Sequence, residues 1–205
     1  MLGCCFVAIG IVEILSRLFF LAFQADPMAI LAIARSLEIA SVLFIAFRET
    51  GGLACIGIIP ARVIQGVGRG MIWSAGFAGI VAIGFLLIYA AGGNPLHLFH
   101  VRLPESGFRL MLYFIVGGGL GPVAEEMFFR GLLYSYFRSW GLAAALGIST
   151  AFFVMAHPQG SGIPLPQLIG GLVFGISFEI EKNLMVPITI HILGNHALFC
   201  LELIA

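Results

Sequence analysis

Glu125 and Glu126 stand side by side in the run GPVAEEMFFRGLLY, with Arg130 four residues beyond the second of them. Three further polar groups interrupt apolar stretches. His157 closes STAFFVMAH, and His191 and Asn195 stand four apart in PITIHILGNH. Carboxylate, imidazole and amide can together supply what hydrolysis of a peptide bond needs: a base that takes a proton from water, and donors that stabilise the oxyanion formed on attack. On a helix Glu126 and Arg130 share a face, so that pair can neutralise itself locally. Glu125 projects about 100° away and is left for other work.

The elements that must position these groups follow from composition. Of 205 residues, 60% are hydrophobic and only 10% charged, and mean hydropathy is +1.10. Soluble domains average roughly 45–50% apolar and about 25% charged, and a soluble protein of this size has too much surface to build from such residues. The chain therefore reads as an all-α, polytopic transmembrane bundle, integral to a membrane. Charges at that depth cost a few kcal/mol each, and persist where they pair, face a wet cavity or react.

A span needs about 20 apolar residues. The candidates are about seven: 2–23, 28–47, 70–91, 108–137, 141–157, 165–180 and 184–203. Residues 51–69 are too broken to span and suit a re-entrant or interfacial segment. We read one membrane domain over 1–205, with helices that carry no motif over 1–103 and a catalytic core over 104–203. The fourth candidate is too long for one straight span. Its Gly117-Gly118-Gly119 and Gly121-Pro122 predict a kink or break just before Glu125. The carboxylates would then lie in the first turn after the break, at the positive end of a helix dipole. Arg48, Arg62, Arg69, Arg138 and Lys182 fall in loops of one side and Arg102 and Arg109 in loops of the other, which predicts an inside N-terminus.

Other classes are disfavoured. Ten acids balance ten bases, so nothing suggests a nucleic-acid partner. Cys4, Cys5, Cys55 and Cys200 fit no zinc, redox or disulfide spacing. The first apolar stretch lacks a basic leader and a small-residue cleavage site, and reads as a transmembrane helix rather than a removed signal. Taken singly, each polar group has a plain reading. Glu126 with Arg130 is a structural ion pair, His157 a helix-end histidine, His191 with Asn195 a bond between helices, and Phe153 packing. Their coincidence on three helices is what favours chemistry. Glu13 with Arg17 and Arg35 with Glu38 are spaced as intrahelical pairs; Glu179, Glu181 and Lys182 mark a helix end; His97, His100 and His196 have no assigned role.

The blocks Glu125-Glu126-x-x-x-Arg130, Phe153-x-x-x-His157 and His191-x-x-x-Asn195 resemble the three motifs of the CPBP family, which includes the CAAX prenyl endopeptidases of Ras-converting-enzyme type and bacteriocin-processing and immunity relatives. The resemblance spans roughly residues 104–200. It implies an intramembrane glutamic protease. Glu125 would be the general base, polarising water together with His157. Glu126 and Arg130 would hold the helix in shape, and His191 and Asn195 would donate to the oxyanion. The implied substrate is a membrane-associated peptide or protein: a lipidated C-terminus, a sorting signal or a leader. Membrane lipids would be its other partners, and the oligomeric state is left open. The short chain fits a prokaryotic cytoplasmic membrane.

No cofactor and no metal are expected, because HExxH is missing. A zinc-dependent version using His157, His191 and Glu125 stands as one alternative, and a non-proteolytic immunity or peptide-binding protein as another. A transporter would predict symmetry between halves, whereas these motifs all lie after residue 120.

Overall fold

Asp26 and Pro27 divide the first two helices. In the computed structural model, which describes residues 1–98, 103–157 and 164–204, α1 (Leu2–Phe23) ends at Gln24 in the left-handed conformation, and α2 runs Pro27–Thr50. Asp26 Oδ1 accepts from the amides of Met28 and Ala29 at 2.9 and 3.3 Å. Pro27 fills a first-turn position whose N–H has no partner anyway. After two single turns of 3₁₀ helix, at Ala54–Ile56 and Pro60–Arg62, follow α3 (Val63–Ala90), α4 (Gly107–Trp140), α5 (Leu142–Ala156), α6 (Leu165–Glu181) and α7 (Met185–Ile204). No strand occurs among the described residues.

All seven expected helices are present, and five of them (α1–α4 and α7) are long and apolar enough to cross a membrane. α5 and α6 have 15 and 17 residues, about 22 and 26 Å at 1.5 Å per residue. Large apolar side chains lie open along α1 and α3, for example Leu21 at 72% and Ile80 at 69% exposed. Such surface belongs against lipid.

α3 begins at Val63, not at residue 70 as expected. Gln65 and Arg69 dilute its first turns, but Arg69 reaches outward to Glu181, 3.1 Å away, so the charge does not interrupt the helix. The broken segment before it is folded inward. Ile56 is fully buried beside Gly131, and the Gly57 carbonyl accepts from the amide of Leu184 at 2.9 Å. α3 packs closely on α7 because Gly66 and Gly70 face it. A Cβ on either would come within 2.6 Å of Asn183 Nδ2 or 2.5 Å of Thr189 Cβ. Small residues at a spacing of four allow such approach inside a membrane.

α4 does not break. Its irregularity falls where the glycines place it, yet takes the form of two wider, π-type stretches, Val116–Leu120 and Met127–Tyr134, around an α-helical Gly121–Glu126. Gly121 N–H accordingly donates five residues back, to Val116. Glu125 and Glu126 therefore sit in mid-helix, not at a helix start, and the expected dipole contribution is absent.

Ion pairs gather the basic residues by end. Arg138 and Lys182 both meet Glu179, at 2.9 and 2.7 Å, beside the start of α7, and Arg69 lies at the same end. Arg109 meets Asp26 at 3.0 Å at the opposite end; Arg102 lies outside the described residues. This separation matches the loop assignment made from the sequence.

Candidate active site

Glu126 and Arg130 are completely buried and pair with each other, while Glu126 Oε2 and Arg130 Nε have no hydrogen-bond partner among the described residues. Arg130 donates to Glu126 Oε1 at 2.9 Å and to the Gly171 carbonyl of α6 at 3.0 Å. The rings of Phe153, Phe174 and Phe129 surround its guanidinium, with centroids 4.7, 5.2 and 5.8 Å away. Cation–ring attraction grows where water is excluded. The pair thus joins α4 to α5 and α6.

The same carboxylate oxygen orients a histidine. His191 Nδ1 lies 2.8 Å from Glu126 Oε1. A carboxylate held by arginine only accepts, so Nδ1 carries a proton, and in the neutral ring the lone pair is at Nε2. Phe174 fixes the ring's tilt by stacking on it.

His157 is oriented in the same manner. It caps the C-terminal end of α5, and its side chain is partly sheltered, 31% exposed. Its Nδ1 is 2.8 Å from the carbonyl of Phe153, which can only accept, so here too Nε2 bears the lone pair in the neutral ring.

Both lone pairs point at Glu125. His157 Nε2 is 3.4 Å and His191 Nε2 3.9 Å from Glu125 Oε2, and that oxygen has no hydrogen-bond partner among the described residues. With both rings neutral, three acceptors on three helices converge here. Such an arrangement binds a proton donor, and water has two O–H groups to offer. With Glu125 20% exposed, the site is sheltered but open.

Asn195 is placed differently from the expectation. Its Nδ2 donates to the carbonyl of Gly117 at 2.9 Å, within the first π-type stretch. Pro122 explains the contact. In π geometry the Gly117 carbonyl would accept from residue 122, which as proline has no N–H. Asn195 supplies the missing donor. His196, one residue on, bonds the Ile192 carbonyl through Nδ1 and lies flat enough on Gly118 that a Cβ there would meet its ring at 2.6 Å.

The structure thus brings Glu125, Glu126, Arg130, His157 and His191 into direct contact and sets Asn195 beside them as a clamp on α4. Phe153 is central rather than peripheral, lying between Arg130 and His157. Sequence reading missed Phe174 and the Gly171 and Gly117 carbonyls. Glu13 pairs with Arg35 at 3.2 Å across α1 and α2, not with Arg17, while Arg35 keeps its expected contact with Glu38. His100 lies outside the described residues, as does the side chain of His97.

Comparison with known proteins gives a consistent result. Residues 107–197 match the family model described as type II CAAX prenyl endopeptidase Rce1-like. A 24.3 kDa protein of Escherichia coli, whose description calls it uncharacterized, is 29% identical over 133 residues, covering 60% of this chain and 59% of its own length. The chain thus matches about three fifths of that relative. No solved structure matches.

Proposed function

Because residues 107–197 match the family model of type II CAAX prenyl endopeptidases of the Rce1-like kind, we propose that this multi-pass membrane protein is an intramembrane endopeptidase whose general base is Glu125. The observation that carries the reading is the convergence of the unpartnered Glu125 Oε2 with the Nε2 atoms of His157 and His191. A water hydrogen-bonded between Glu125 and His157 gives its proton to Glu125 as its oxygen attacks the scissile carbonyl carbon. As the tetrahedral intermediate collapses, the C–N bond breaks and that proton passes to the leaving amine. Glu126 and Arg130 act at one remove by fixing the tautomer and tilt of His191, as carboxylates do for histidines in other sites. His191 remains in reach of the reacting atoms, and Asn195 holds the π-type stretch that precedes the turn bearing Glu125.

The substrate in this reading is a peptide segment at the membrane: a lipidated C-terminus, a sorting signal or a leader. Bilayer lipid is the other partner, and the setting a prokaryotic cytoplasmic membrane, for which the Escherichia coli relative is support. Hydrolysis proceeds without metal in this proposal. The zinc-dependent alternative rests on the same three lone pairs and is separated by chelation.

The deciding experiment is cleavage of a panel of membrane-tethered peptides by purified protein, wild type against Glu125→Gln, in one lipid. The substitution keeps size and removes the base. Cleavage lost in the variant supports the reading. Equal cleavage names the wrong base, and binding without cleavage by either protein favours the immunity or capture alternative.

A further inference from the structure

The two charges of α1, Glu13 and Arg17, stand one turn apart and do not pair. Arg35 of α2 takes Glu13 at 3.2 Å, and Arg17 keeps neither an ion pair nor a hydrogen bond among the described residues. Arg17 is exposed, on a helix that buries only Cys5, so its guanidinium faces lipid. A bare cation at hydrocarbon depth costs a few kcal/mol. α1 ends at Phe23, six residues beyond Arg17, which is about 9 Å along the axis. An arginine stem that stretches toward the interface covers most of that distance.

The surface beside Arg17 is shaped. Arg17 lines a groove of ≈ 400 Å³ between α1 and α2, whose walls are mostly apolar, with Phe20 and Leu21 on one side and Ile30 and Leu31 on the other. Through Phe20 and Leu21 the groove runs on into a recess of ≈ 450 Å³ at the turn between the two helices, bounded by Asp26 and Arg109. There Arg109 is answered by Asp26 at 3.0 Å, and at the inner end Glu13 is answered by Arg35. Apolar walls and one unanswered charge remain. That charge is positive and lies within a side chain's reach of the headgroup level.

We propose that this groove is a binding site for one phospholipid, whose phosphate lies on the Arg17 guanidinium and whose acyl chain fills the space between α1 and α2. The planar fork of an arginine matches two phosphate oxygens, and a chain of methylenes matches the walls. A free phosphate would meet the charge and leave the walls bare. A neutral lipid would cover the walls and leave the cation unmet. α1 packs chiefly on α2, so the lipid is a third member of that contact. The site needs the membrane setting alone and is independent of the endopeptidase chemistry at Glu125.

The test is native mass spectrometry of the purified, delipidated full chain in detergent, titrated with phosphatidylglycerol. Wild type is expected to take up one tightly held lipid per chain, Arg17→Lys to keep it, and Arg17→Gln to bind it at least about tenfold more weakly. Leu31→Trp fills the groove from α2 and leaves Arg17 in place; it is expected to lose the lipid as well, and it decides alone if Arg17→Gln does not fold. Equal binding by wild type and folded Arg17→Gln overturns the proposal. Unchanged binding by Leu31→Trp does so too, since the phosphate then sits on the surface with no chain in the groove. Displacement of the lipid by equimolar inorganic phosphate would make this a free-anion site, and equal uptake of a diacylglycerol with the same chains a site blind to charge; either result overturns it.

Discussion

Asn195 and Gly117, 78 residues apart, meet because Pro122 cannot complete the backbone bond that the widened turn of α4 leaves open. A side chain on α7 thereby holds the irregular part of the helix that carries Glu125.

Asn195→Ala removes that donor and leaves a partly buried carbonyl unmet, at a cost of about 1–3 kcal/mol in unfolding free energy. Pro122→Ala restores a backbone N–H at the position that lacks one. In a double-mutant cycle followed by thermal unfolding in detergent, Asn195→Ala is therefore expected to cost less in the Pro122→Ala background. Additive losses would mean that the two residues act independently.

For Glu126 and Arg130 the expectation concerns burial. Arg130→Met strands a carboxylate at zero exposure and Glu126→Gln strands a guanidinium, each at about 3–5 kcal/mol, whereas Glu126→Gln with Arg130→Met is expected to be less damaging than either alone. Unfolding midpoints of the three proteins check this. The double variant is still expected to lose activity, since a glutamine amide no longer dictates the tautomer of His191.

Helix approach gives a sharper contrast. Gly70→Ala directs a methyl group at Thr189, at a distance no relaxed structure keeps, and is expected to destabilise by about 1–3 kcal/mol. Gly68, two residues away, has nothing within 4 Å of its would-be Cβ, so Gly68→Ala is expected to be neutral or to stabilise by up to about 1 kcal/mol. Equal effects in a melting experiment would contradict the packing of α3 on α7.

Thorough chelation of the purified enzyme is expected to leave cleavage unchanged. Activity lost on treatment with a strong zinc chelator and recovered on adding zinc would reassign Glu125, His157 and His191 as ligands.

Much of this arrangement was legible in the chain. Hydropathy located all seven helices, and the spacing of Glu126 and Arg130 foretold a pair that forms at 2.9 Å. What stayed hidden depends on partners distant in sequence. Gly117 to Leu120 read as a breakpoint because glycine and proline weaken a helix locally; the donor that keeps it continuous comes from Asn195. Glu13 was matched with Arg17 by its spacing, but Arg35 on the neighbouring helix outcompetes it. Phe174 is one of 19 phenylalanines, and no local pattern marks the one that stacks on a histidine.

The 15 residues of α5 have one more consequence. A helix of about 22 Å set beside a hydrocarbon layer of about 30 Å leaves a mismatch of roughly 8 Å, which bilayers relieve by thinning or by letting headgroups sink. His157 caps the C-terminal end of this helix. A hydrolase consumes one water per bond cut, and bulk lipid supplies almost none. Were the bilayer to dimple at the end that His157 caps, the aqueous phase would come down to the proposed site, and the length of α5 would then govern the delivery of water as well as the position of an imidazole.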